Sequence, residues 1–276
     1  MNNKSIYYMI FSVIAFAIMN AIVKYLSTFH VYQIVFFRSI GTLAFTIPLI
    51  IKYKIPVLGT HKKLLLLRGF LGVISLVFFF QSLKYLSVGT AVSLRYTSPI
   101  FAAIFAIIFL KENIKPIQWL LFLIAFIGVL IIKGFGNDTN YLGLIYVLFS
   151  AISLGLVLVI IRKIGKREHP LVIINYFMVM AFFFGGFMSI YNWKNPSLNQ
   201  LLLLSSLGIF GYIGQLYMTK AFQANETNLL APLKYLEIIF TIIIGVFWFQ
   251  EVYNLYTILG IILILVGLIY NLVLKK

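Results

Sequence analysis

The chain of 276 residues contains no cysteine, which excludes disulfides, thiolate metal sites and a cysteine nucleophile. Carboxylates are nearly as scarce, with six Asp and Glu against 22 Lys and Arg. The three histidines, His30, His61 and His169, lie near segment ends and are too scattered for a metal site. An enzyme would need a nucleophile or an acid–base constellation, and little here could build one. No catalytic residue, metal or cofactor is expected. Charged residues of both signs amount to 10% of the chain, far below the roughly 25% of soluble domains.

Apolar residues fill the space, at 62% of the chain and a mean hydropathy of +1.05. Long runs bounded by charge, proline or Asn/Gly clusters fall near 6–25, 32–51, 64–83, 88–110, 116–133, 141–161, 170–191, 200–219, 227–249 and 255–274. A helix needs about 20 apolar residues to cross hydrocarbon, so each run is long enough or nearly so, and the loops leave no room for a separate soluble domain. Unbroken runs also exclude a membrane β-barrel, whose strands alternate. The expected fold is an all-α membrane protein of ten transmembrane helices. Lys4 ahead of the first run resembles a signal peptide, a reading rejected because that run has a counterpart in the second half.

Lys and Arg are distributed unevenly. With the N-terminus placed inside, 15 fall on inner loops and segment ends, Arg68 among them, and four on outer ones: Lys24, Lys84, Lys133 and Lys194. Basic residues favour the cytoplasmic side, so both termini are expected there. The formal charge of +16 then reflects topology, not nucleic-acid binding.

Sliding the sequence against itself gives one ungapped offset of 139 residues. It aligns Lys24 with Lys163, His30 with His169, Gly69 with Gly208, Gly72 with Gly211, Tyr96 with Tyr235, Glu112 with Glu251, Gly128 with Gly267, and the cations Arg95 and Lys234. Matches among rare residue types are informative in so apolar a chain. Residues 1–137 and 138–276 therefore read as two five-helix repeats. Five crossings are an odd number, so the second repeat enters from the opposite side. Inverted repeats are an architecture of secondary transporters, with the substrate held near the midplane.

Three cations, Arg38, Arg95 and Lys234, fall inside runs. Each costs about 2.5–3.5 kcal/mol at a helix centre on insertion scales. Arg95 and Lys234 stand seven residues into their runs, roughly 10 Å deep, entering from opposite faces, which puts both near the midplane. Glu237 is the one clearly intramembrane acid, so positive charge is left over. The expected ligand is a small molecule bearing carboxylate or phosphate. The alternative is structural: Lys234 pairing with Glu237, and Arg95 bonding to carbonyls. Pro99 and Pro232 each remove a hydrogen bond one turn back and support the same location. Asn20, Arg38, Gln81, Asn175, Tyr176, Gln215 and Tyr217 are candidate cavity-lining residues, or interhelical hydrogen-bonding ones. Gly69, Gly72, Gly208 and Gly211 are expected to serve close packing, as are Gly128, Gly260 and Gly267. Glu112 and Glu251 are expected to pair at the interface or cap neighbouring helices.

The segments FFRSIGTLAFTIP at 36–48, RGFLG at 68–72, SLRYTSPIFAAIFAIIFLKE at 93–112 and APLKYLEIIFTIIIGVFWFQE at 231–251 resemble the EamA-type members of the drug/metabolite transporter superfamily. APLKYLE resembles a subgroup containing S-adenosylmethionine uptake carriers, with lysine where that subgroup has arginine. The resemblance implies ten helices around a central cavity and a binding site at Arg95, Tyr96, Lys234, Tyr235 and Glu237. It also implies a multi-pass protein of a bacterial inner membrane, monomeric or homodimeric, moving an amino-acid-like metabolite. Efflux of hydrophobic compounds and flipping of a lipid-linked intermediate are the alternatives.

Overall fold

The computed structural model describes residues 3–111, 116–135, 140–224 and 234–274. These form eleven α-helices: α1 (Asn3–Tyr25), α2 (Val31–Lys52), α3 (Lys62–Ser82), α4 (Val88–Arg95), α5 (Ser98–Leu110), α6 (Pro116–Phe135), α7 (Tyr141–Ile164), α8 (Pro170–Ser189), α9 (Leu198–Ala224), α10 (Leu236–Phe249) and α11 (Leu255–Leu274). Seven segments, one of them spanning α4 and α5 together, are long and apolar enough to cross a membrane. Three shorter apolar helices accompany them. Pro232 and Glu112, singled out above, lie outside the described residues.

The helix ends follow local chemistry. His30 accepts the Tyr32 amide and caps α2, and His169 accepts the Leu171 amide and caps α8. The two aligned histidines thus do the same local job, satisfying N–H groups that a helix start leaves free. At their C-termini α5 and α10 stop alike. Lys111 and Gln250 adopt left-handed backbone (φ 55° and 52°), and their amides reach back to the carbonyls of Ala106 and Gly245. Both of these matches sit 139 residues apart.

The fourth apolar run is not one helix. α4 ends at Arg95, Tyr96 and Thr97 form a turn, and α5 starts at Ser98 with Pro99 in its first turn. Proline fits a first turn because its missing N–H is not needed there. A turn recurs one offset later at Tyr235, between Lys234 and α10.

Helices pair across the chain's midpoint: α1 packs on α9, α3 on α7, α2 on α8 and α6 on α11. Small residues permit the closest approaches. A Cβ on Gly208 would collide with the backbone of Gly41, and one on Gly128 would stand 2.5 Å from the Gly260 carbonyl oxygen. Gly267 likewise abuts Leu121 and Ala125, so these last three glycines pack α6 against α11 within the chain. The core runs through the middle of the bundle, with Phe29, Phe79 and Phe80 among its fully buried side chains.

Outside the spans, the α2–α3 loop wraps Glu168. Its carboxylate accepts the Thr60 and His61 amides at 2.7 and 2.6 Å and the Thr60 hydroxyl at 2.7 Å, and contacts His61 Nδ1 at 3.1 Å. Gly59 sits too close to the carboxylate to carry a side chain. Burial alone would raise the Glu168 carboxyl; the hydrogen bonds outweigh it and hold the group at about 2.

Candidate functional site

A cavity of about 160 Å³ opens in the bundle interior. α1 supplies Phe16, Met19 and Asn20; α2 Arg38; α3 Arg68, Gly72, Ser75, Leu76 and Phe79. α4 and its turn supply Val92, Arg95 and Tyr96, and α7 gives Leu154, Val157, Leu158 and Ile161. Phe177, Gln215, Met218, Lys234 and Glu237 complete it from the second half. Arg68 and Phe177 lie early in α3 and α8 and Ile161 and Met218 late in α7 and α9, so part of the lining reaches that end of the bundle.

At its centre the two halves meet. The Tyr96 hydroxyl donates to Glu237 Oε2 at 2.7 Å, and Asn20 Nδ2 donates to Oε1 at 3.0 Å. Tyr96 packs edge-on against Tyr235, its counterpart under the offset, with ring centroids 5.2 Å apart. Lys234 Nζ lies 5.7 Å from the Tyr96 ring. Glu237 is therefore held by a phenol and an amide, and no ion pair joins it to Lys234 or Arg95 among the described residues. The alternative expectation of a Lys234–Glu237 pair is not what forms.

The arginines are cradled by aromatic faces. Arg95 stands 4.1 Å above the Phe79 ring, and Arg68 4.5 Å from Phe177, which also flanks Arg38 at 5.8 Å. Cation–π contacts stabilise a buried cation but leave its N–H groups to be satisfied. Arg38 Nη1, Arg68 Nε and Nη1, and Arg95 Nε are buried without a hydrogen-bond partner. An unmet buried donor is costly. Among the described residues, four cations line the cavity against one carboxylate.

Of the residues expected from sequence, Arg95, Tyr96, Lys234, Glu237, Asn20, Arg38 and Gln215 line the cavity. Tyr235 is buried behind Tyr96. Others lie elsewhere. Asn175 accepts the Thr46 hydroxyl at 2.6 Å, tying α8 to α2, and Tyr176 donates to the Leu58 carbonyl. Tyr217 packs on Tyr8 and Phe11, and Gln81 is absent from the lining. Pro99 opens α5. Arg68 is the residue sequence reasoning misplaced. Counted among the cytoplasmic charges, it is 7% exposed inside the cavity, because α3 starts early enough to carry it two turns in. Its depth from the helix start, close to that of Arg95, was the available signal.

The opposite end of the bundle carries a polar knot. Lys24 Nζ pairs with Glu251 Oε1 at 2.6 Å and donates to the Leu86 carbonyl at 2.7 Å. Glu251 accepts the Val88 amide, and the Tyr253 hydroxyl accepts the Gly89 amide, so the start of α4 is capped from the second half. A carboxylate there also complements the helix dipole. Glu251 thus caps a neighbouring helix, as its place at a run's end implied.

This assembly is a helical, multi-pass membrane protein with a polar, cationic chamber in its interior. The EamA-like transporter family model matches residues 3–134 and again 141–273, and the chain belongs to that family, within the drug/metabolite transporter superfamily. It is 31% identical to the pseudopaline exporter CntI of Pseudomonas aeruginosa over 92% of this chain and 90% of the relative. It is 28% identical to the S-adenosylmethionine uptake transporter of Rickettsia conorii, covering 89% and 84%, and to human solute carrier family 35 member G1, covering 92% and 75%. A crystal structure 17% identical matches with a TM-score of 0.64 over 96% of this chain and 97% of that one, a likeness of fold alone. The relatives are transporters, and no catalytic family is indicated. The chain is a membrane transporter, consistent with residence in a bacterial inner membrane.

Proposed function

We propose that the protein is a secondary carrier that moves a small polar metabolite with a negative or zwitterionic group by alternating access. In this reading ten helices form two inverted five-helix repeats, 1–137 and 138–276, with both termini cytoplasmic. Substrate binds Arg95, Lys234, Tyr96, Tyr235 and Glu237. The observation that supports it best is the meeting of offset-related residues at one cavity: Arg95 and Lys234 on its wall, Tyr96 against Tyr235, and Glu237 reaching across to Tyr96. A carboxylate on the cargo meets the cations while an amine meets Glu237. Amino-acid-like solutes fit this pattern, S-adenosylmethionine among them.

In the proposed orientation the cavity faces the cytoplasm and the Lys24–Glu251 knot seals the outside. The apolar α7 flank, Leu154 to Ile161, favours a cargo with an apolar portion too. That is the feature a hydrophobic efflux substrate or a lipid-linked intermediate would use.

Reconstitution in proteoliposomes tests the reading. Arg95→Gln and Lys234→Gln are expected to insert normally and to lose uptake of radiolabelled amino-acid-like solutes. Parental uptake rates in both variants would refute the site. An imposed pH gradient then separates a proton-coupled carrier, which accumulates solute, from a facilitator, which only equilibrates it.

A further inference from the structure

Arg95 and Lys234 account for two of the four cations on the cavity wall among the described residues. The other two, Arg38 and Arg68, are 2% and 7% exposed. They share one aromatic partner, Phe177, whose ring centroid lies 5.8 Å from the Arg38 guanidinium carbon and 4.5 Å from that of Arg68. Space is reserved for them. A Cβ on Gly72 would stand 3.2 Å from Arg68 Nη1, and one on Gly211 would stand 3.2 Å from Arg38 Nε. These two glycines are themselves one offset apart. Arg38 Nε contacts Met19 Sδ at 3.3 Å, a weak acceptor, and three other guanidinium nitrogens of this pair lack any partner. Among the described residues no carboxylate pairs with either arginine; Glu237 is held by Tyr96 and Asn20.

Two like charges buried around one ring with donors unmet are unfavourable on their own. Chains retain them where a ligand supplies the counter-charge, and planar guanidinium forks suit carboxylate or phosphate.

We propose that Arg38 and Arg68 form a second anion subsite, so that the cargo carries at least two negative groups held at once. One group meets Arg95 and Lys234, and the other meets the Arg38–Arg68 pair. This rests on the carrier reading above and narrows it. S-adenosylmethionine, whose single carboxylate is offset by an ammonium and a sulfonium, neutralises this wall less well than a dicarboxylate does.

Ligand-induced thermal stabilisation of the purified full-length protein decides it. The probes are butyrate, glutarate and tricarballylate, together with L-2-aminobutyrate, L-glutamate and S-adenosylmethionine. The expected result is half-maximal stabilisation by the two- and three-carboxylate members at concentrations about tenfold lower than by their one-carboxylate partners, the scale of one charge-assisted hydrogen-bonded contact. Arg68→Gln and, separately, Arg38→Gln should erase that tenfold advantage, weakening the two- and three-carboxylate response about tenfold more than the one-carboxylate response. Arg68→Lys should restore part of it. Arg95→Gln should weaken both classes. Equal potency of one- and two-carboxylate probes on the parent would overturn the second subsite while leaving the carrier reading standing. So would an Arg68→Gln or Arg38→Gln effect equal for both classes. No response to any anion would remove both together.

Discussion

At the scale of single residues, the chamber depends on polar groups that exist in few copies. Glu237 is fixed by two hydrogen bonds from the first half of the chain, and hydrogen bonds to a charged group are worth about 1.5–3 kcal/mol each. Tyr96→Phe should therefore lower the melting temperature of the purified protein and leave the carboxylate less well oriented, with transport falling more than stability. Transport at the parental rate would argue that Tyr96 is only packing. Glu168 offers a pH test away from the chamber. Its carboxyl is held at about 2 in the folded protein, below its usual range. The stability it contributes is therefore complete above pH ~4.5 and lost as pH falls through about 2. Glu168→Gln should melt earlier than the parent at pH 7, and the two curves should converge between those limits; a constant gap across that range would count against it. Arg95, Lys234 and Glu237, which line the cavity, stand out in the sequence because each is a rare charged residue deep in an apolar run. Sequence alone misread Arg68, since a residue near a run's edge reads as a loop charge until the true helix start is known. It could not separate Asn175, whose partner Thr46 is 129 residues away, from a lining residue such as Asn20.

At the scale of helices, two features decide how the chamber is built. The turn after Arg95 and the one at Tyr235 stop what apolar length alone reads as continuous spans. Pro99 hinted at a disturbance, but the run 88–110 is long enough to read as one span, so the break itself was not legible. Discontinuous helices expose backbone next to a transported ligand in other carriers. The second feature is the α2–α9 crossing at Gly41 and Gly208. Gly208→Ala should push these helices apart and cost about 1–3 kcal/mol, the usual range for overpacking, read as a lower melting temperature. Gly186→Ala, which meets only the Phe36 ring edge at 3.2 Å, is the matched control and should be milder. Equal losses at both sites would show that the crossing is not tight.

At the scale of the whole molecule, the proposed duplication rests on an offset that needs no gaps and pairs uncommon residues. The equivalent roles of His30 and His169, and of Lys111 and Gln250, give it physical content. The asymmetry was not readable: Arg38 aligns with Phe177, so one half supplies the cation and the other the ring beside it. In the proposed cycle the Lys24–Glu251 knot is a door. Because the chain lacks cysteine, Met19→Cys adds a lone thiol to the cavity wall. Its labelling by an impermeant maleimide from outside should be faster when Glu251→Gln is also present, and unchanged labelling would show that the pair does not hold the outer end shut.

α6 and α11 clasp one another through Gly128 and Gly260 and contribute no side chain to the described chamber wall. That pair forms an outrigger, where fluorescent tags, fusion scaffolds or lipid-tuning substitutions can be attached while the cargo's route through the protein stays as it was.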